Sequence, residues 1–243
     1  MSRFLDRPCK VLITGGTSGV GAAMTRALLG AGHKVVVLAR RVGEMPVQPG
    51  LFTHDCDLSD PASIAAVATD VASAHPDLQI LINNAGVQHA LTLLDPGSTP
   101  QMLQDEVMVN LLAPALLVRA LAPGIIARGG GAIVNVSSGL AFFPKECAGL
   151  YAAAKAGVHS FTQSLRYQME GQGVAVIEVI LPLVDTPMTA GRGKGKISAE
   201  AAATAILQGL ARGKPVICVG AARALPLIQA LAPWLGRRML RGS

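Results

Sequence analysis

Thr14-Gly15-Gly16-Thr17-Ser18-Gly19-Val20-Gly21 is the stretch whose reading decides the fold of this chain. The apolar run Lys10–Thr14 precedes it and reads as a strand; the Ala/Leu-rich segment Ser18–Ala31 follows and reads as a helix that stops near Gly32. A glycine cluster between a strand and a helix has a physical use that a lone glycine motif lacks. Gly15 permits a tight turn, Gly19 lets the backbone approach a pyrophosphate, and Gly21 lets the helix pack closely on the strand. The helix N-terminus then presents free N–H groups and a positive partial charge to phosphates. Without a ligand the same residues would make an ordinary glycine-rich turn. No Gly-Lys-Ser/Thr follows, which argues against a P-loop.

Outward from this loop, short β-branched runs alternate with longer helical segments. Lys34–Ala39 reads as a second strand, and a third ends near Asp55. Pro61–Ala74 reads as a helix with Asp60 as N-cap and Pro61 at its first position. Ile80–Asn83 is a fourth strand, Gln101–Ala127 mainly helix, Ala132–Val136 a fifth strand, Leu150–Gly171 a helix and Val174–Leu181 a sixth strand. Ala199–Arg212 reads as a helix and Val216–Val219 as a last strand. This alternation predicts an α/β fold, a doubly wound parallel sheet of about seven strands with helices on both faces and right-handed crossovers. No linker or repeat divides the chain, so a single domain over 1–243 is expected.

Composition agrees. Of 243 residues, 51% are hydrophobic and 15% charged, enough apolar material for a large core and too little charge for disorder. The longest apolar stretch, Leu111 to Ala127, is broken by Pro114, Arg119 and Pro123 and reads as a core helix rather than a membrane span. Residues 1 to 9 hold Arg3, Asp6 and Arg7 and do not read as a signal peptide. Cys9, Cys56, Cys147 and Cys218 form no CxxC pair, so neither a metal site nor a disulfide framework is expected, and a cytoplasmic location follows. The net charge of +6 is not interleaved with aromatics, which argues against nucleic acid and fits a phosphorylated small ligand.

TGxxxGxG, as opposed to GxGxxG, resembles the cofactor loop of the classical short-chain dehydrogenase/reductase family. The resemblance runs from about Lys10 to Val219. Several stretches are similar to the DltE-like subgroup: Pro76-Asp77-Leu78, Asn135 to Phe142, His159 to Arg166, and Val184-Asp185-Thr186. It implies a nicotinamide cofactor bound by Gly15, Thr17, Ser18, Gly19, Val20 and Gly21. Relatives that use NAD carry Asp where this chain has Ala39. Arg40 and Arg41 follow, and a guanidinium clasps a 2′-phosphate that a carboxylate would repel. NADP(H) is therefore expected over NAD(H), with Arg40 the main contact and Ser18 adding a hydroxyl; the bland reading is two solvated arginines at a strand end. The resemblance gives Asp57 a bond to the adenine amino group and Leu58 a packing role on the ring, although Asp57 also suits a turn cap. Asn84, Ala85 and Gly86 belong to the family's Asn-Asn-Ala-Gly element, partly structural in any reading.

Tyr151 and Lys155 stand four residues apart on the predicted helix and so share a face. A phenol near pKa ~10 is a poor base at neutral pH, and a neighbouring ammonium together with an oxidised nicotinamide ring is expected to lower it. Tyr151 then serves as general acid or base. The resemblance matches Ser138 to the serine that holds the substrate oxygen and Asn110 to a residue holding a relay water for Lys155. Ser137 should point the other way. Ile180 to Val184, with Pro182 and Val184 among them, would brace the nicotinamide, and Thr186 would reach its carboxamide or a phosphate, being otherwise a turn cap. Leu183 departs from the family's usual glycine, which leaves the local backbone path open.

Gln88, His89, Leu140, Phe142, Phe143, Cys147 and Leu183 are the expected substrate pocket, mostly apolar and suited to a hydrophobic carbonyl or alcohol. His89 reads equally as a surface residue and Cys147 as a small buried one. Gly191–Lys196 is a candidate lid or a solvated basic loop. The apolar and basic tail, 221–243, either lies on an acidic membrane surface or packs as a tail or subunit contact. The resemblance implies a homodimer or homotetramer formed through the helices holding Asn110 and Tyr151. Carbonyl reduction or its reverse is the expected activity. A non-catalytic dinucleotide sensor on the same fold and an NAD-dependent alcohol dehydrogenase are the alternatives. An epimerase or dehydratase is disfavoured, since such relatives are longer and usually carry TGxxGxxG.

Overall fold

The computed structural model describes residues 4–242. Seven strands form one parallel sheet in the order β3-β2-β1-β4-β5-β6-β9: β1 (Lys10–Thr14), β2 (Lys34–Ala39), β3 (Leu51–Asp55), β4 (Leu78–Asn83), β5 (Gly131–Ser138), β6 (Val174–Leu181) and β9 (Val216–Cys218). Two-residue strands β7 (Val184–Asp185) and β8 (Ile197–Ser198) pair apart from it. The inner strands are buried almost throughout because both faces are covered, and they read as continuous Val/Ile/Leu runs. On one face α1 (Gly19–Gly30) and α6 (Ala199–Ala211) pack around Val11, Ile13, Met24 and Ile206. On the other, α2 (Pro61–Ala74), α4 (Ala113–Ala127) and α5 (Gly149–Gln168) pack around Leu12, Leu81, Leu117 and Leu165.

Local signals set the boundaries. The Asp60 carboxylate accepts from the Ala62 N–H at 2.9 Å and caps α2 as expected. After α1 the His33 N–H donates to the Leu28 carbonyl and the Gly32 N–H to the Leu29 carbonyl, with Gly32 at φ +82°. That double closure needs a left-handed residue, which glycine supplies. The helix expected over Gln101–Ala127 begins at Pro100 as α3 (Pro100–Val107), widens into a π turn over Met108–Leu112, and continues as α4. Pro114 has no N–H to donate to the Asn110 carbonyl four residues earlier, so the ordinary helical bond fails there.

The order of strands reverses between β1 and β4, and ligands of such sheets bind outside the strand ends at that point. The glycine loop sits there, held by the Gly15 N–H donating to the Leu38 carbonyl at 2.8 Å. A methyl group on Gly21 would lie 2.1 Å from the Gly15 carbonyl oxygen and 2.6 Å from Asn84 Nδ2. Gly21→Ala should therefore cost about 1–3 kcal/mol. A lowered urea midpoint with unchanged slope checks this; an unchanged midpoint would contradict the packing.

Candidate active site

One cleft of ≈ 1430 Å³ runs along the C-terminal ends of the strands. At its first end Gly15, Thr17, Ser18, Gly19, Val20 and Gly21 form the wall, with Arg40, Arg41, Asp57 and Leu58 beside them. Ser18 occupies the N-cap of α1, yet its hydroxyl makes no capping bond, and the first turn carries no acidic residue. The helix thus offers uncapped N–H donors and a positive end to the cleft. Arg40 and Arg41 are exposed at the end of β2, and among the described residues neither is paired with a carboxylate. These features fit a dinucleotide with an extra phosphate: unspent N–H groups for the pyrophosphate, unspent guanidiniums beyond it.

Some expected cofactor contacts are occupied within the protein. The Asp57 carboxylate accepts from the Ser59 N–H at 2.9 Å and the Ser59 hydroxyl at 2.7 Å, which hold it below the usual carboxylate range. One of its oxygens is thus spent on the turn. Asn84 Nδ2 donates to the Thr14 carbonyl at 2.9 Å, while the Thr14 hydroxyl accepts from the N–H groups of Asn84 and Ala85. Asn84 is therefore a brace that ties β4 to the glycine loop. Thr186 faces the cleft, but its N–H donates to the Thr189 hydroxyl at 3.2 Å, so it shapes a local turn.

At the other end Ser138, Tyr151 and Lys155 meet. Ser138 ends β5, where the strand carries it to the cleft; Tyr151 and Lys155 come from consecutive turns of α5. Neighbouring Ser137 points away and bonds the Lys155 carbonyl at 3.3 Å, clamping helix to strand. The Ser138 hydroxyl accepts from the Leu140 N–H at 3.2 Å and lies close enough to the Tyr151 phenol to favour its phenolate. Lys155 is buried, its Nζ donating to the Val136 carbonyl at 2.9 Å and lying 5.7 Å from the centre of the Tyr151 ring.

The protein's own groups set the protonation of these two side chains. Burial pushes the Tyr151 phenol up to about 12, outweighing the Ser138 hydroxyl and the nearby Arg192 cation that favour phenolate. Burial also pulls the Lys155 ammonium down to about 8. Lys155 is held by a carbonyl beside the ring, so the protein alone leaves Tyr151 a protonated acid.

Asn110 does not line the cleft. Its amide Nδ2 donates to the carbonyls of Val87 at 2.7 Å and Glu106 at 2.8 Å, and its Oδ1 accepts from the Val87 N–H at 3.3 Å. The side chain clamps the segment after Gly86, where an added Cβ would lie 2.8 Å from Asn110 Oδ1.

Of the expected substrate pocket, Gln88, Leu140 and Leu183 line the cleft, as do Pro182 and Val184. Four residues do not. Phe143 is buried against Gly236, where a Cβ would meet its ring at 2.2 Å. Phe142 packs on the His159 ring with centroids 5.2 Å apart. Cys147 sits in the turn before α5, outside the cleft wall. His89 faces a separate hollow of ≈ 210 Å³, its N–H donating to Glu106 at 2.6 Å. The tight turn Gly139–Ala141 after β5 sends the Phe142 and Phe143 side chains away from the site. Leu183, at the position where the resemblance implied glycine, fills the space under Gly193; a Cβ on Gly193 would lie 2.3 Å from Leu183 Cδ2. The larger residue on one side is matched by a glycine on the other.

The wall that sequence reading missed comes from the tail. Helices α7 (Leu225–Leu231) and α8 (Pro233–Leu240) fold back, and Leu225, Ile228, Met239 and Leu240 face the cleft. The Glu146 N–H donates to the Arg241 carbonyl at 3.0 Å, and Phe143 anchors Leu225 and Leu240. Distance in sequence hid this; the mixed apolar and basic pattern was the only signal. The basic loop closes the remaining side, with Arg192 NH1 donating to Gln88 Oε1 at 3.2 Å and Lys196 Nζ to the Thr189 carbonyl at 2.7 Å.

A family model described as short chain dehydrogenase matches residues 10–196. The uncharacterized oxidoreductase DltE of Bacillus subtilis is 35% identical over 217 residues, covering 85% of this chain and 86% of that protein. The NADP-dependent 3-hydroxy acid dehydrogenase YdfG of Escherichia coli K12 is 30% identical over 176 residues, 70% of each chain. The crystal structure of a short chain dehydrogenase from Burkholderia cenocepacia in complex with NADP superposes with a TM-score of 0.88 at 28% identity, covering 96% of this chain and 98% of that one.

Proposed function

This chain belongs to the short chain dehydrogenase family and is an oxidoreductase of it, and on that premise we propose that it uses NADP(H) to reduce a ketone or aldehyde to the alcohol, or the reverse. The observation that carries this reading is one cleft with two ends: the neighbouring Ser138 and Tyr151 hydroxyls at one, and at the other two exposed arginines with no salt bridge among the described residues, beside an uncapped helix N-terminus. Gly15 to Gly21 would hold the pyrophosphate, and Arg40 with Arg41 the 2′-phosphate. Relatives support the choice, since the Burkholderia structure holds NADP and YdfG is NADP-dependent. When bound, the nicotinamide supplies or takes up the hydride. Ser138 donates to the substrate oxygen and fixes it beside the phenol. Tyr151 gives that oxygen its proton during reduction and recovers it from the alcohol in reverse. Lys155 holds a positive charge beneath the phenol and favours phenolate once the proton has left. The apolar wall of Leu140, Leu225, Ile228 and Met239 excludes water and suits a hydrophobic substrate.

We read the chain as one dinucleotide-binding unit working in the cytoplasm as a homodimer or homotetramer. Exposed Val107, Leu112 and Tyr167 on the stretch from α3 to α5 supply apolar surface for such contacts, and all four cysteines are free thiols. The test is consumption of NADPH by the purified chain with a panel of aliphatic and aromatic ketones and aldehydes. Turnover of at least one, with NADH much weaker, supports the reading. NADPH binding with no turnover of any carbonyl or alcohol would favour a dinucleotide sensor.

A further inference from the structure

Arg192 and Lys145 are the half-buried cations of the cleft wall. Of the two, Arg192 has a planar fork of donors, and among the described residues its guanidinium makes one bond, to the neutral amide oxygen of Gln88. Two carboxylates stand on the neighbouring helix α3, and neither pairs with it. Asp105 is held by the Gln101 amide at 2.8 Å, and Glu106 accepts from the His89 N–H. A guanidinium has five donors, and a partly desolvated one with a single neutral partner retains strong capacity for an anion. Glycines at 191 and 193, both at positive φ, let the loop set this side chain over the cleft, and Leu183 seats the loop from below. Arg192 is also near enough to favour the phenolate of Tyr151, which places it on the substrate side of the cleft.

Resting on the carbonyl-reductase reading, we propose that Arg192 is a specificity residue that binds a carboxylate, so that the substrate class is an oxo acid or hydroxy acid with an apolar chain. The carbonyl lies at Ser138 and Tyr151, the carboxylate takes the free donors of Arg192, and the chain extends along Leu225, Ile228 and Met239. Gln88 orients the guanidinium in the free protein and keeps its own bond when the acid binds.

The experiment compares medium-chain 3-oxo and 4-oxo acids with their methyl esters, at fixed NADPH, in the full-length chain. The wild type should prefer the acid over its ester by about 10- to 100-fold in kcat/KM, the scale of a charge-assisted pair. Arg192→Gln should collapse this ratio through a raised KM for the acid, and Arg192→Lys should restore part of it. Thermal stabilisation by decanoate on the NADPH-loaded protein gives a readout without turnover, expected in the wild type and lost in Arg192→Gln. Equal losses for acid and ester, or a weakened NADPH affinity in Arg192→Gln, would overturn the proposal by making Arg192 a structural strap or a cofactor contact. Decanoate binding through Arg192 with no carbonyl turned over would sustain the anion site while removing the reductase reading. Turnover of neutral ketones with no acid preference would do the opposite.

Discussion

Tyr151→Phe should lower kcat for carbonyl reduction by roughly a hundred- to ten-thousand-fold, the usual contribution of a positioned general acid. The substitution removes one oxygen and little else, and the ring keeps its packing on α5. NADPH should therefore still raise the melting temperature. The loss falls on proton transfer: with the phenol gone, Ser138 can hold the substrate oxygen but cannot supply and recover a proton beside a cation. The pH profile adds an independent check. Tyr151 is pushed up to about 12, so the phenol keeps its proton across the working range. Lys155 is pulled down to about 8, so its charge is the first to go as pH rises. A group with a lowered pKa that acts as a cation is intact below that value and lost above it. The value of kcat/KM for NADPH, which reports the free protein, should thus fall as pH passes about 8. A wild-type rate in Tyr151→Phe, or a flat profile to about pH 10, would remove these residues from the chemistry.

Arg40→Asp should reverse the cofactor choice. Charge-assisted bonds to a phosphate are worth about 1.5–3 kcal/mol, so their loss alone weakens NADPH by about 10- to 150-fold. The new carboxylate adds repulsion to the 2′-phosphate while offering an acceptor for the 2′-hydroxyl of NADH. Equal-concentration melting shifts with NADPH and NADH read the change, and the NADPH advantage should also shrink with added salt because Arg40 is exposed. Arg41→Asp should move in the same direction and by less. Unchanged selectivity in both variants would mean that the arginines are solvated ends of β2.

What the amino-acid sequence determined by itself is set by local and periodic signals. Val35 to Leu38 had to be a buried parallel strand, because four consecutive apolar residues cannot be satisfied with one face in water. Asp60 and Gly32 mark helix ends through bonds made within a few residues. The glycine loop, Arg40, Ser138, Tyr151 and Lys155 were legible because strand ends and a four-residue helical spacing fix where they emerge. Tertiary structure decided the rest. Phe142 and Phe143 follow Ser138 directly, yet a tight turn rotates them into contacts with His159 and Gly236, distant in sequence. The tail read as a membrane-surface element or as a packed tail or subunit contact; it packs as a wall of the cleft because Phe143, Leu225 and Leu240 bury one another only after β5 and β6 are placed. The Asn110 amide was spent on Val87 and Glu106, a choice no spacing rule announces, whereas the turn bond of Asp57 to Ser59 was one of its two sequence readings. Burial opposes the phenolate of Tyr151 in the protein alone, and burial depends on everything packed around the ring, which a residue pair does not encode.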